Sequence, residues 1–199
     1  MTIEYYNHNA EAFRQRTADR DMSWLYDPFL SLLPPGAHIL DAGCGPGRDS
    51  LAFLRRGFHV TAADASSAMV EMARAATGLP VLLLPFQQID FDQAFDGIWA
   101  NASLLHVPSR EIDDVLRRLT RALRPGGILY MSVKLGDGER TTAEGRLFCD
   151  YTESSLRAVL AGHPALGVLE IHQTDPAPNQ ADGKSWLHAT LRKHITPTT

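Results

Sequence analysis

From about residue 37 onward, mostly apolar runs alternate with segments that are apolar on one helical face only. His38–Ala42, Phe58–Ala63, Val81–Leu84, Phe95–Ala100 and Ile128–Val133 read as strands. Arg48–Arg56, Ser67–Thr77 and Glu111–Leu123 read as helices between them. In the last, Ile112, Val115, Leu116, Leu119 and Leu123 form one stripe. Ser109 is its expected N-cap and Pro125-Gly126-Gly127 its stop. Continuously apolar strands separated by helices imply a parallel sheet covered on both faces.

The two ends of the chain differ from this middle. Residues 1–20 are polar with Tyr5, Tyr6 and Phe13, which fits a short helical arm or lid. Met22–Leu33 is apolar at mostly helical spacing until Pro34-Pro35-Gly36 stops it. Thr152–Leu160 reads as a helix, followed by strands over Gly167–Gln173 and Ser185–Lys193. The loop joining those strands, Thr174–Lys184, is too short for a crossover helix, so they pair antiparallel. The expected fold is therefore one α/β domain over residues 1–199. Its mostly parallel, Rossmann-like sheet has seven strands, helices on both faces and one antiparallel strand near the C-terminus. Residues 1–35 form the arm, 36–135 the ligand-binding core, and 136–199 a loop, a helix and the final strand pair.

Composition narrows the function classes. With 19 basic and 23 acidic residues the net charge is −4, which gives no broad attraction to nucleic acid or anionic membranes. Two distant cysteines and eight histidines without ligand spacing make neither a disulfide framework nor a metal motif. No leader-like segment or membrane-length apolar run is evident, so a cytoplasmic location is expected.

The strongest chemical signal is the run Asp41-Ala42-Gly43-Cys44-Gly45-Pro46-Gly47-Arg48-Asp49-Ser50. Glycines stand where a turn takes positive φ or where a side chain would strike a ligand. The helix that follows aims free N–H groups and partial positive charge at the same point. The spacing Gly43-x-Gly45-x-Gly47 differs from the dinucleotide fingerprint G-x-G-x-x-G. Cys44 reads as a small buried filler. Asp64 closes the second strand, where a carboxylate can accept hydrogen bonds from ribose hydroxyls. Capping of the next helix is its plainer alternative.

The segments LDAGCGPGRDS, VTAADAS, FDGIWANASLLHV and LRPGGILYMSVK, in this order, resemble the motifs of class I S-adenosylmethionine-dependent methyltransferases. The resemblance covers about residues 36–135 and extends to the small bacterial branch that includes the tellurite-resistance methyltransferases. It implies S-adenosylmethionine as cofactor and S-adenosylhomocysteine as product. By position, Asp41, Gly43, Cys44, Gly45 and Gly47 would surround the methionine part, Asp64 the ribose, and Ala65 the adenine. Gln87 or Gln88 would meet the adenine edge, and Asn101 and Ala102 would close the fourth strand against the cofactor. Tyr5 and Tyr6 match a tyrosine that packs over the cofactor in some relatives, and Arg14 would reach the methionine carboxylate.

The acceptor belongs at the carboxyl ends of the strands. His106 follows the fourth strand and is a candidate general base, substrate contact or core histidine. Lys134, Arg140 and Arg146 fall in a glycine-hinged loop ending at Tyr151, which suggests an anionic acceptor, either a carboxylate or a metalloid oxyanion. A solvated loop with acidic partners is the plainer reading. Arg117, Arg118, Arg121 and Arg124 read as an exposed helix face paired with nearby acids. Trp24, Trp99 and Trp186 read as core. The expected function is methyl transfer to a small molecule. A non-catalytic S-adenosylmethionine-binding protein and a nicotinamide-dependent oxidoreductase are the alternatives.

Overall fold

The structure, a computed structural model, describes residues 2–176 and 183–195. Two helices, α1 (Thr2–Thr17) and α2 (Ser23–Leu30), precede β1 (His38–Ala42), α3 (Arg48–Arg55), β2 (His59–Asp64) and α4 (Ser67–Thr77). Then come β3 (Leu82–Leu83), β4 (Phe95–Ala100), α5 (Ile112–Ala122) and β5 (Leu123–Lys134). A hairpin of β6 (Gly138–Thr141) and β7 (Leu147–Asp150) leads to α6 (Glu153–Ala161), β8 (Leu166–Thr174) and β9 (Trp186–Lys193).

Seven strands make one sheet in the order β3-β2-β1-β4-β5-β9-β8. The first five pair parallel, and β9 runs antiparallel to both β5 and β8, as the short connection required. Residues 177–182 of that connection lie outside the described residues.

Successive strand side chains face opposite cores. Ile39, Trp99 and Tyr130 pack on Leu25 and Phe29 of α2 and Phe53 of α3. Leu40, Ile98 and Met131 pack on Val115, Leu116 and Leu119 of α5 and on Leu156 of α6. Burying each such aliphatic side chain contributes about 2 kcal/mol. The α5 stripe was legible for that reason: every expected member is buried against the sheet.

Four expectations fail for physical reasons. Only Leu82 and Leu83 of the third apolar run pair with β2, and both are exposed because β3 is the sheet edge. Ser109 does not cap α5. It opens a 3₁₀ turn, with its N–H donated to Glu139 Oε1 at 2.6 Å, and Glu111 precedes the helix without a capping bond. The glycine-hinged loop after β5 contains the β6–β7 hairpin, with Arg140 opposite Phe148 in register. Trp24 is 51% exposed and is not core.

Candidate functional site

The carboxyl ends of β1, β2 and β4 meet at the glycine loop. Gly43, Gly45 and Gly47 all have positive φ, at 80°, 54° and 89°. Their reasons differ. A Cβ on Gly43 would lie 2.4 Å from Ser103 Cβ, and one on Gly47 would lie 3.0 Å from Ala73 Cα. A Cβ on Gly45 would meet only Phe13, at 3.8 Å. Gly43 and Gly47 are thus fixed by packing within the protein, while Gly45 faces the cleft beneath α1. Cys44 is buried, as expected of a filler.

Asp64 ends β2 beside this loop. Its carboxylate accepts from Gly45 N at 2.9 Å and Ser66 N at 2.8 Å. Burial raises its pKa, and the backbone N–H groups of Ser66, Gly45 and Ala65 oppose that rise. Helix capping belongs instead to Ser66, whose Oγ accepts from Met69 N at 3.3 Å.

Below the loop lies a buried acid network of which sequence reasoning found only part. Asp41 accepts from Ser50 Oγ at 2.5 Å. Burial, then the nearby Asp49 charge, pushes Asp41 up to about 8. Asp49 accepts from Tyr26 Oη, Arg48 Nε, Trp99 Nε1 and Asn101 Nδ2. Burial opposes its ionisation, but Arg48 and these donors hold its pKa below the usual carboxylate value. Asp49 was missed because two of its donors, Trp99 and Asn101, stand 50 and 52 residues away in sequence.

The same network shapes the end of β4. Asn101 uses its amide internally, donating to Asp49 and accepting from Ser132 Oγ at 2.8 Å. Ser132 Oγ also accepts from Ala102 N at 2.8 Å. Ala102 has φ 52°, a left-handed conformation that only its surroundings can hold. Asn101 and Ala102 therefore offer the cleft their backbone rather than a polar side chain.

α1 roofs the cleft. Asn7 Oδ1 accepts from Ser66 Oγ at 2.7 Å, Thr2 Oγ1 accepts from Leu147 N at 2.9 Å, and Tyr6 reaches His106. His106 Nδ1 lies 2.6 Å from the Leu147 carbonyl, which can only accept, so that nitrogen carries the proton. Nε2 is then the acceptor for the Tyr6 hydroxyl at 2.8 Å. Burial, then the charges of Arg146 and Arg140, pulls His106 down to about 4, so its ring is neutral. Burial pushes Tyr6 up to about 12, with Arg146 opposing.

Beside this pair stands Arg146. Its guanidinium lies 4.4 Å from the Tyr5 ring centroid and 5.3 Å from that of Phe148. Its Nε is buried without a hydrogen-bond partner, and Glu144 is 3.9 Å from another of its nitrogens. Tyr5, Tyr6, His106, Arg146 and Phe148 thus form one wall.

Other expected site residues are placed elsewhere. Arg14 is exposed and paired with Glu11 at 2.7 Å. Gln87 donates to Glu111 at 2.9 Å, and Gln88 is exposed. Arg140 is tied to Asp150 at 2.6 Å, which Lys184 also contacts. Lys134 is buried over the Trp186 ring at 4.0 Å. Tyr151 is buried in the core cluster that also holds Phe148 and residues of α5 and α6, and its hydroxyl has no hydrogen-bond partner. Arg117 and Arg118 share Asp114, while Arg121 pairs with Asp90 and Arg124 with Asp96, as an exposed face should. Among the described residues no acidic, histidine and cysteine cluster fits a metal, and no helix is long and apolar enough to cross a membrane.

Both the sequence around this loop and the fold have known counterparts. A family model described as a methyltransferase domain matches residues 39–127, which contain the glycine loop, Asp64 and β4. The 1,6-didemethyltoxoflavin-N1-methyltransferase of Burkholderia thailandensis, solved with 1,6-didemethyltoxoflavin and S-adenosylhomocysteine, superimposes with a TM-score of 0.79. It is 26% identical, and the match covers 96% of this chain and 87% of that one. Residues 39–127 are thus similar to a methyltransferase domain, and the whole fold is similar to that of a methyltransferase. Two curated relatives agree. The malonyl-[acyl-carrier protein] O-methyltransferase of Salmonella typhimurium is 39% identical over 107 residues, covering 52% of this chain and 42% of that protein. The trans-aconitate 2-methyltransferase of Variovorax paradoxus is 40% identical over 108 residues, covering 51% and 40%. The chain thus spans less than half the length of these two relatives.

The residues present fit the methyltransferase cofactor. Gly45 leaves the cleft side of the loop bare, and Asp64 stands at its rim with lone pairs for ribose hydroxyls.

Proposed function

We propose that this protein is a methyltransferase that moves the methyl group of S-adenosylmethionine to an anionic small molecule, with a carboxylate as the favoured acceptor. The observation that carries the reading is Arg146. Its planar guanidinium is held between two rings with Nε–H unpaired, a geometry suited to a carboxylate.

S-adenosylmethionine, when bound, supplies an electrophilic methyl on a positively charged sulfur. Gly45, Asp64, Ala65 and the backbone of Asn101 and Ala102 would hold it, with Gln88 at the adenine edge. Arg146 would orient the acceptor so that a carboxylate oxygen faces the methyl carbon in line with the sulfur. The acceptor oxygen would take that methyl group as the C–S bond breaks, the electron pair of that bond staying on sulfur. α1 excludes water. No proton needs removing, which agrees with His106: a group held near 4, with both ring nitrogens engaged, is a poor general base at neutral pH. We assign His106 the task of holding Tyr6 instead of catalysis.

A metalloid oxyanion, the acceptor suggested by the tellurite-resistance branch, makes the same demand on Arg146. Two curated relatives carry names with carboxylate-bearing acceptors, malonyl and trans-aconitate, and favour the carboxylate. The test is incubation with S-adenosylmethionine and a panel of carboxylic acids, metalloid oxyanions, thiols and amines, following S-adenosylhomocysteine and the methylated product. Methyl esters from carboxylates support the reading. Cofactor binding without turnover on any acceptor would make this a binding protein and refute it.

A further inference from the structure

Apart from the Arg146 wall, a cleft lies between α2 and the antiparallel end of the sheet. Its volume is about 190 Å³. Trp24, Pro28, Phe29 and Tyr130 supply apolar and aromatic walls, and Glu170, His172 and Thr190 supply one polar side. It shares no residue with the Arg146 wall.

Three observations mark it as a built site. Trp24 is 51% exposed at its mouth, although the sequence reads as if this ring were core. It is kept there edge-on to His188, at 5.7 Å between ring centroids. His172 stacks on His188 at 4.9 Å and 14°, and its Nδ1 is buried with no hydrogen-bond partner. The nearest Glu170 oxygen is 3.6 Å from that nitrogen, beyond hydrogen-bond reach. A buried polar atom left unpaired costs about 1–3 kcal/mol, which a ligand would recover. The floor is fixed, since Tyr130 is buried and bonded through its hydroxyl to His188 Nδ1 at 2.7 Å.

We propose that this cleft binds a small single-ring aromatic molecule carrying an ammonium group. Size sets the ring: a cavity of about 150 Å³ accommodates benzene. Charge sets the ammonium, because among the described residues Glu170 is the only acidic one lining the cleft and no lysine or arginine lines it. Trp24 and Tyr130 add faces that attract a cation. The ring would stand against Phe29 and Tyr130 with the ammonium between Glu170 and Trp24, and a polar edge would meet His172 Nδ1. Tyr130 stacks on Trp99 at 3.9 Å, and Trp99 donates to Asp49, so the cleft abuts the network beneath the cofactor loop.

The test uses benzylammonium and phenylacetate, which share a ring and differ in charge, in ligand-observed NMR titrations of the whole protein. Saturable binding of benzylammonium is expected in the millimolar range. Phenylacetate should bind at least about tenfold more weakly, as loss of one charge-assisted contact implies. Glu170→Gln keeps the volume and should weaken benzylammonium severalfold, as should Trp24→Ala, whose ring is half in solvent. Equal binding of the two probes, no saturable binding of benzylammonium, or unchanged binding in both variants would overturn the proposal. None of these outcomes bears on methyl transfer.

Discussion

The Tyr6 hydroxyl donates to His106 Nε2 at 2.8 Å and ties the N-terminal helix to the segment after β4. Because Leu147 fixes the His106 tautomer, this latch works only while the ring is neutral. His106 titrates near 4 in the folded protein against an ordinary 6.5. The open arm therefore binds protons more readily than the closed one. Latch stability should be complete above about pH 6.5 and lost progressively as pH falls toward 4. Amide exchange over residues 2–17 should rise across that window. Tyr6→Phe should raise exchange at neutral pH as well, consistent with loss of about 1 kcal/mol. Exchange that stays flat with pH in the wild type would contradict the latch.

The glycine loop offers a contrast within three residues. Gly43→Ala should lower the melting temperature by several degrees, because its Cβ meets Ser103 Cβ at 2.4 Å. Gly45→Ala meets nothing closer than Phe13 at 3.8 Å, so its fold should suffer only the strain of positive φ, about 1 kcal/mol. Its loss should appear in cofactor affinity, measured by calorimetry. The reverse ranking would show that Gly45 does not face the ligand.

Asp41 carries a pH signature of opposite sign. Its folded value of about 8 exceeds the ordinary 3.8, so the folded protein holds a proton that the unfolded chain has lost. Stability from this group is full below about pH 4 and declines as pH rises toward 8. Asp41→Asn should remove that component and lose less stability than the wild type between pH 5 and 8 in urea denaturation. Parallel profiles would mean that Asp41 is ionised in the fold.

These cases show what the chain discloses before its structure is known. The glycine loop, Asp64 and the α5 stripe were legible because their signals are local: spacing, turn chemistry and helical period. The role of Asp49 was hidden because its meaning depends on Trp99 and Asn101, far away in sequence. The β6–β7 hairpin was read as a loop because its glycines outweighed four-residue strands. The burial of Tyr151 beside Phe148 and α5 depends on packing between distant segments, which the sequence leaves open. The glycine loop and the end of β2 are therefore more readable in sequence than the segment after β5.

Ser132 is a positioning residue found only in three dimensions. It joins Asn101 Oδ1 to the Ala102 N–H, holding Ala102 at φ 52°. Ser132→Ala should leave the fold intact, raise the cofactor dissociation constant by about tenfold, and change the acceptor KM little. Ser132→Thr should restore much of the loss. A purely structural serine would instead show a lower melting temperature with unchanged cofactor affinity.

The most direct test of the account separates the two halves of the site at Arg146. The measurement is kcat/KM for the best carboxylate acceptor, alongside the dissociation constant for S-adenosylmethionine, in the wild type and Arg146→Ala. Removing a charge-assisted contact of about 1.5–3 kcal/mol should cut kcat/KM for the acceptor by about ten- to a hundredfold. Cofactor affinity should stay within about twofold, because Arg146 contacts Tyr5 and Phe148 and none of the glycine-loop residues. Equal losses in both quantities, or an acceptor rate that survives the substitution, would contradict an anionic acceptor held by Arg146.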